Sequence, residues 1–413
     1  MPAKRQKPIK TRYQVLAEQL AERGIDIEAA KRAVQAFEVE LPSWVFGTFG
    51  GGRFAGYVPL APAPDIRAKI RDAAFVHKLT GATPRVAIHV GWDKPQGVEF
   101  DKIKAAQFAD LPDYARQQGI NLGSINPTLF LAGTHYGSLS STCKDARKTL
   151  IRHCITCCEI AEKYSEGLVC YWLPDGSNYP GQVDLWEQER LVRDALKEVY
   201  DAASKRIIHL IEYKLFEPGT YSTVISDAGV ALDIVRSLGE RAGVLVDMGH
   251  HAWGVNVPQI VARLLGLGVR SGFHFNARYA ADDDHSSEPN IQLYAVFCEL
   301  VNGKVVANAD ARRNWAYMID QAAPLENRFH AVLHTVDSLQ VSLAKALVLD
   351  RKRLAAMQAE HNIIGANRVF LDAFLTDVRP IVQMARLERD LPPDPAEAYD
   401  ASGYQRQIET ERA

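Results

Sequence analysis

Residues 246–251 read VDMGHH: an apolar run, VLVD, stops on Asp247, and two histidines follow within four positions. Similar endings recur along the second half of the chain. Glu212 closes HLIE, His274 lies in GFHF and Asp320 closes YMID. The four residues are separated by 35, 27 and 46 positions. If the apolar runs are neighbouring strands, their side chains converge at one end of a sheet. Three carboxylates and an imidazole suit a divalent cation such as Mn²⁺, Co²⁺, Mg²⁺ or Zn²⁺. A lone acid at a strand end is often only a helix cap or a loop charge. Four together are harder to dismiss, because a buried carboxylate cluster without a cation repels itself and raises its own pKa values.

A second set stands beside the first. His250 follows Asp247 by three, and Asp282 and Asp284 lie in YAADDDH. Alternate residues of an extended loop can point the same way, so Asp282 and Asp284 could grip one ion while Asp283 faces out. Asp247, with two oxygens, could bridge both ions. The plainer alternative is a solvated acidic loop, and His251 reads as structural. Lys214 follows Glu212 by two, and its ammonium could hold a hydroxyl or a developing alkoxide. His89 lies in VAIHV with Trp92 behind it, and Trp172 ends CYW with Asp175 and Asn178 in the following DGSN. Aromatic faces among carboxylates suit a polyhydroxylated substrate, although His89 could equally be a core histidine and Lys214 a surface lysine. Two ions in such a pocket suit phosphoester hydrolysis or aldose–ketose isomerisation. Arg278 is the only arginine in HFNARYAADDD, so no basic cluster awaits a phosphate and a neutral sugar is favoured.

These residues need a scaffold that brings strand ends together. Apolar runs begin at residues 43, 84, 120, 167, 206, 242, 269 and 313, starting with SWVFGTFG and ending with RNWAYMID. Several are continuous rather than alternating, as parallel strands covered on both faces are. Helical patterns fill most of the gaps, among them ARKTLIRHCITCCEIAEKY and LWEQERLVRDALKEVYDAAS. Eight such repeats fit an α/β fold, a closed (β/α)8 TIM barrel, with the polar residues at the mouth where barrel active sites are built. GTFGGGRF has glycines but not dinucleotide-loop spacing. The expected organisation is an N-terminal helical segment over 1–42, a barrel over 43–324, and a C-terminal helical extension and tail over 325–413, with PPDPAEAYDASGYQRQIETERA loosely ordered.

Composition narrows the class further. The 413 residues are 47% hydrophobic, enough for a sizeable core, and carry 50 acidic against 48 basic side chains, a formal charge of −2. No long basic block points to nucleic acid. The opening MPAKRQKPIKTR has no apolar stretch behind it, and no run of eighteen apolar residues suggests a membrane span. Of six cysteines, the three in CITCC read as buried thiols, and the compartment as a reducing cytoplasm.

From about residue 12 to 345 the chain resembles L-rhamnose isomerase of the kind with broad specificity for free aldoses. The matching stretches include RGIDIEAA, PSW, GTFGGGRFA, DGSNYPGQ, EYKLFEPGTYSTV, VDMGHH, GFHFN, YAADDD and MIDQ. The resemblance implies a metal-dependent (β/α)8 barrel working as a homotetramer. Its expected reaction interconverts L-rhamnose and L-rhamnulose, and other pairs such as D-allose and D-psicose. Two divalent ions per chain are expected, Mn²⁺ preferred: one on Glu212, Asp247, His274 and Asp320, the other on Asp247, His250, Asp282 and Asp284. Lys214 and Trp172 resemble substrate contacts, His89 a residue at the sugar's O5 or ring oxygen, and Phe54 the aromatic that a neighbouring subunit lends to the pocket. With the mouth carboxylates committed to metal, a metal-assisted hydride shift between C1 and C2 is expected. The family commonly has HFNDSKYGDDD here, so Ala277, Arg278 and Ala281 are departures, and His135 stands where a lysine is usual. These leave the metal ligands intact and bear on the preferred sugar. A carbon-3 ketose epimerase with one metal and two glutamates, a metal-dependent phosphoester hydrolase, and a non-catalytic metal-binding assembly protein are the competing readings.

Overall fold

The computed structural model describes residues 3–48, 59–131, 133–217, 222–277, 279, 284–306, 314–322 and 325–413. Phe54, Arg278, Ala281, Asp282 and Asp283 lie outside them. Eight parallel strands run in chain order: β1 (Leu41–Pro42), β2 (Arg85–His89), β3 (Asn121–Asn126), β4 (Leu168–Tyr171), β5 (Ile208–Glu212), β6 (Ala242–Asp247), β7 (Arg270–Phe275) and β8 (Trp315–Ile319). Glu40 closes the ring. Its N–H donates to the Tyr317 carbonyl and its own carbonyl accepts from the Ile319 N–H, each at 2.9 Å. Helices such as Ile66–Thr80, Lys144–Tyr164, Leu185–Ala202 and Ile291–Asn302 fill the connections. An (β/α)8 barrel with helices added at both ends is therefore the fold.

Period-two alternation decides what each strand shows the interior. Along β5 the inward positions are Ile208, Leu210 and Glu212, and along β8 they are Ala316 and Met318 with Asp320 just beyond. Leu168, Cys170, Ile208, Leu210, Leu245, Ala316 and Met318 pack into one cluster, separate from the larger core between barrel and helices. The polar residues at positions 212, 247, 274 and 320 are thus the next inward layer above an apolar floor. Gly272 is part of that floor: a Cβ there would lie 3.0 Å from Leu210, 3.1 Å from Leu245 and 3.3 Å from Met318, so neighbouring side chains fill the space its own would take.

Two expectations are corrected. The first strand is not SWVFGTFG but the two residues before it, and Ser43–Phe46 form a 3-10 turn. Pro42 cannot donate to a ladder, and the next side chains are pulled away: Ser43 Oγ donates to Asp93 at 2.5 Å, and the Trp44 indole to Asp320 at 2.8 Å. The tail is not loosely ordered either. Asp394 caps the helix Pro395–Ser402, and Tyr404–Glu411 forms another. Tyr404 stacks on Phe75 with ring centroids 3.9 Å apart. Arg412 grips the buried Asp72 with both terminal nitrogens, at 2.6 and 2.9 Å. Among the described residues no single helix is long and apolar enough to cross a membrane.

Removing one member of a buried ion pair strands the other charge. Arg412→Ala is expected to lower unfolding free energy by about 3 kcal/mol, read as a shifted denaturant midpoint with an unchanged slope. An unshifted midpoint would show that Arg412 does not hold the tail.

Candidate active site

The inward layer above the apolar floor is compact. One ligand atom from each of Glu212, Asp247, His274 and Asp320 lies within 4.8 Å of the others. His274 Nδ1 is the hub, 3.2 Å from Glu212 Oε2, 3.5 Å from Asp320 Oδ2 and 4.0 Å from Asp247 Oδ2. Parallel register makes this so, because Asp247 of β6 and Met318 of β8 both pair with His274 of β7. Asp247 is completely buried, and several donors orient it. The Gly249 N–H reaches its Oδ1 at 2.7 Å, and the Asn276 amide spans Oδ1 and Oδ2 at 3.0 and 2.9 Å. Gly249 must lack a side chain here, since a Cβ would lie 2.9 Å from Asn276 Oδ1. The spacing in VDMGHH is therefore set by the asparagine facing it.

Such packing of charge needs compensation. Burial pushes the Asp247 carboxyl up to about 7, and nearby Glu212 and Asp320 add to the rise against the pull of His250 and His274. Asp320 is raised as well, by burial first and then by Glu212. Burial opposes a charged His274, yet Glu212, Asp320 and Asp247 outweigh it and push the ring up to about 10. Burial likewise opposes ionisation of Glu212, but His274, His250 and Lys214 hold its carboxyl below the usual range. Without a cation, protons held by the imidazole and carboxyls balance the cluster. Glu212 Oε1 and His274 Nδ1 are buried without a hydrogen bond of good geometry, as ligand atoms awaiting a cation would be. The donor set fits a divalent metal.

His250 stands on the far side of Asp247. Its Nε2 is 3.8 Å from Asp247 Oδ1, while Nδ1 lies 3.1 Å from the Tyr213 carbonyl and 3.2 Å from Glu212 Oε1. A proton on Nδ1, donated to that carbonyl, would put the lone pair of the ring on Nε2, the nitrogen on the Asp247 side. Asp284 is buried with φ at +50°, a left-handed backbone uncommon outside glycine. Asp282 lies outside the described residues, so the expected second set is visible only as Asp247, His250 and Asp284. Among the described residues one four-membered group is close enough to hold an ion, the set at 212, 247, 274 and 320.

An arc of aromatic rings adjoins the cluster through Trp44. Trp44 meets His89 edge-on at 5.5 Å, and His89 lies 4.5 Å from Trp92 and 5.2 Å from Phe130. Phe130 then meets Trp172 at 5.2 Å, and the Lys214 ammonium sits 5.0 Å over the Trp172 ring. Lys214 is buried and paired with Glu217, so it is no surface lysine. His251 bonds the Tyr213 hydroxyl at 2.7 Å, which bears out a structural reading. Asp175 is reassigned: its oxygens accept from the Ser138 and Ser140 N–H groups at 2.8–3.0 Å, pinning one loop to another, and Asn178 is exposed. Residues not singled out in the sequence are Asn276, Trp44 and Phe130. Asn276 and Trp44 stand inside GFHFN and PSW, but only tertiary contacts show which atoms they hold.

The L-rhamnose isomerase (RhaA) family model matches residues 7–373. A probable sugar isomerase of Rhizobium meliloti is 36% identical over 414 aligned residues, covering 97% of this chain and 92% of that protein. One of Mesorhizobium japonicum is 35% identical, covering 99% and 94%. An L-rhamnose isomerase of Bacteroides thetaiotaomicron is 23% identical, covering 82% and 86%. In fold, an L-ribulose 3-epimerase structure is similar with a TM-score of 0.55 at 12% identity, covering 79% of this chain and 99% of that one. With a whole-length match of this kind around a barrel mouth of three carboxylates and an imidazole, the chain belongs to the L-rhamnose isomerase family of aldose–ketose isomerases.

Proposed function

We propose that this protein interconverts L-rhamnose and L-rhamnulose, and other free pairs such as D-allose and D-psicose, by moving a hydrogen between C1 and C2 without release to water. The observation that carries the reading is the inward layer of Glu212, Asp247, His274 and Asp320, within 4.8 Å of one another at the mouth of a barrel of this family. These residues would hold one divalent ion, and Asp247, His250, Asp282 and Asp284 a second, with Mn²⁺ preferred for an oxygen-rich set. When bound, such ions supply Lewis-acid polarisation of the sugar's oxygens. The chain does the rest. Trp92, Phe130 and Trp172 cover the C–H face of the sugar and exclude water. Lys214 and His89 donate hydrogen bonds to its oxygens. The cluster contains one glutamate, so the paired glutamates of a 3-epimerase are not supplied by it. A homotetramer, with a neighbour's Phe54 over the sugar's far end, completes the proposed pocket. Six cysteines outside any disulfide fit a reducing cytoplasm. Assaying free aldoses and ketoses with Mn²⁺ tests the assignment. Turnover of L-rhamnose supports it, and turnover only of a C3 epimer pair overturns it.

Metal binding should be proton-linked. His274, held up to about 10, carries a proton at neutral pH and must lose it to ligate, and Asp247, near 7, is part-protonated there. Affinity should therefore climb with pH through neutrality, by about tenfold per unit for each proton released. Calorimetry in two buffers of different ionisation enthalpy reads that release, and pH-independent affinity would contradict it. Asp247→Ala should lower occupancy of both sites and abolish turnover, whereas His250→Ala should mainly weaken the second, as metal analysis of the purified variants will show.

With every cluster carboxylate committed to metal, the cluster itself would leave no base to exchange the migrating hydrogen. Isomerisation in D₂O should leave C1 and C2 essentially free of deuterium, and near-complete incorporation would replace the hydride route by an enediol. Phe54→Ala should raise KM for L-rhamnose by roughly 5–20-fold through loss of an apolar contact to its methyl group. The effect should be smaller for a hydroxymethyl sugar, with metal content and assembly unchanged. Equal kcat/KM for both sugars before and after the change would remove Phe54 from the pocket.

A further inference from the structure

His89 stands in the aromatic wall, and its ring is held from outside that wall. Its Nδ1 lies 2.6 Å from the Thr128 hydroxyl, just past the end of β3. That hydroxyl also accepts the Gly91 N–H at 2.8 Å. Thr128 is itself fixed, its own N–H donating to His153 Nε2 at 3.0 Å. Gly91 must be glycine for this approach, since a Cβ there would lie 2.6 Å from the Thr128 hydroxyl and 2.7 Å from its Cβ. The nearby carboxylate, Asp93, cannot serve the ring. It accepts the His89 backbone N–H at 2.8 Å, the Ser43 hydroxyl at 2.5 Å and the Lys69 ammonium at 2.6 Å.

A hydroxyl has one proton to give. Among the described residues, Nδ1 of His89 is the one acceptor in contact with the Thr128 hydroxyl, since its other contact, the Gly91 N–H, is a donor. Were Nδ1 protonated, the hydroxyl would face two donors and its own proton would have no partner. We propose that Thr128 is a positioning residue that fixes the proton of His89 on Nε2, so that the ring presents a hydrogen-bond donor to an oxygen of the bound sugar. Among the described residues the hydrogen bond of the ring is the one at Nδ1, so Nε2 is the nitrogen left for a ligand. Burial holds His89 well below its ordinary pKa, which keeps the ring neutral and its single proton position meaningful. The ring then reads an acceptor, a ring oxygen or a hydroxyl lone pair, and offers nothing to a bare donor.

The proposal rests on the isomerase reading for the sugar's identity but not for the tautomer, and the two are tested separately. Neutron diffraction from deuterium-exchanged, Mg²⁺-loaded protein should show density on His89 Nε2 and none on Nδ1; the reverse overturns the proposal whether or not any sugar turns over. In kinetics, Thr128→Val should lower kcat/KM on the order of 10-fold, the loss of about one hydrogen bond's worth of orientation. Thr128→Ser should recover most of that loss. In a His89→Phe background Thr128→Val should have no further effect, because its action passes through the imidazole. Additive losses, with metal content and thermal midpoint unchanged, would mean that Thr128 acts on something other than His89. A wild-type protein inactive on every aldose would sink the isomerase reading and leave the neutron result to decide the tautomer.

Discussion

Three carboxylates and an imidazole cannot share one buried layer unless something balances their charge. The rest of this structure follows from that constraint. Asp247 is fully enclosed and pushed up to about 7, while His274 is pushed up to about 10 by the acids around it. The protein tolerates the arrangement because the apolar floor of Leu210, Leu245 and Met318 is rigidly packed below it, and because Asn276, Gly249 and Trp44 hold the carboxylates in place from the sides. A divalent cation held there would resolve the repulsion and displace the protons.

The adjoining aromatic arc obeys a different rule. Trp44, His89, Trp92, Phe130 and Trp172 form an unbroken arc of rings, and three polar groups along it are oriented by a second group. Lys214 pairs with Glu217, His89 meets Thr128, and Trp44 reaches across to Asp320. Metal side and aromatic side are thereby tied together, since the indole that borders His89 also bonds a cluster carboxylate.

Much of this was legible in the sequence because strand alternation is strict. Glu212, Asp247, His274 and Asp320 each close or nearly close an apolar run, and the period of two then sends them inward. What stayed hidden acts across elements. The Asn276 amide matters through Asp247, twenty-nine positions away, and Thr128 through His89, thirty-nine away. The run WVF reads as a strand in sequence, but Pro42 ends the ladder and Asp93 and Asp320 draw Ser43 and Trp44 aside. Asp175 looked like a sugar-binding acid, yet its oxygens accept from Ser138 and Ser140, a use no local pattern announces. The tail, polar in composition, is ordered by the distant Asp72 and Phe75.

The central claim is that the inward layer of the barrel mouth is a metal centre. Anomalous diffraction at the manganese edge, from crystals equilibrated with Mn²⁺, tests it without reference to any substrate. A strong peak bounded by Glu212, Asp247, His274 and Asp320 is the predicted result. An empty cluster, with manganese bound elsewhere or not at all under conditions where the protein is folded, would contradict the account.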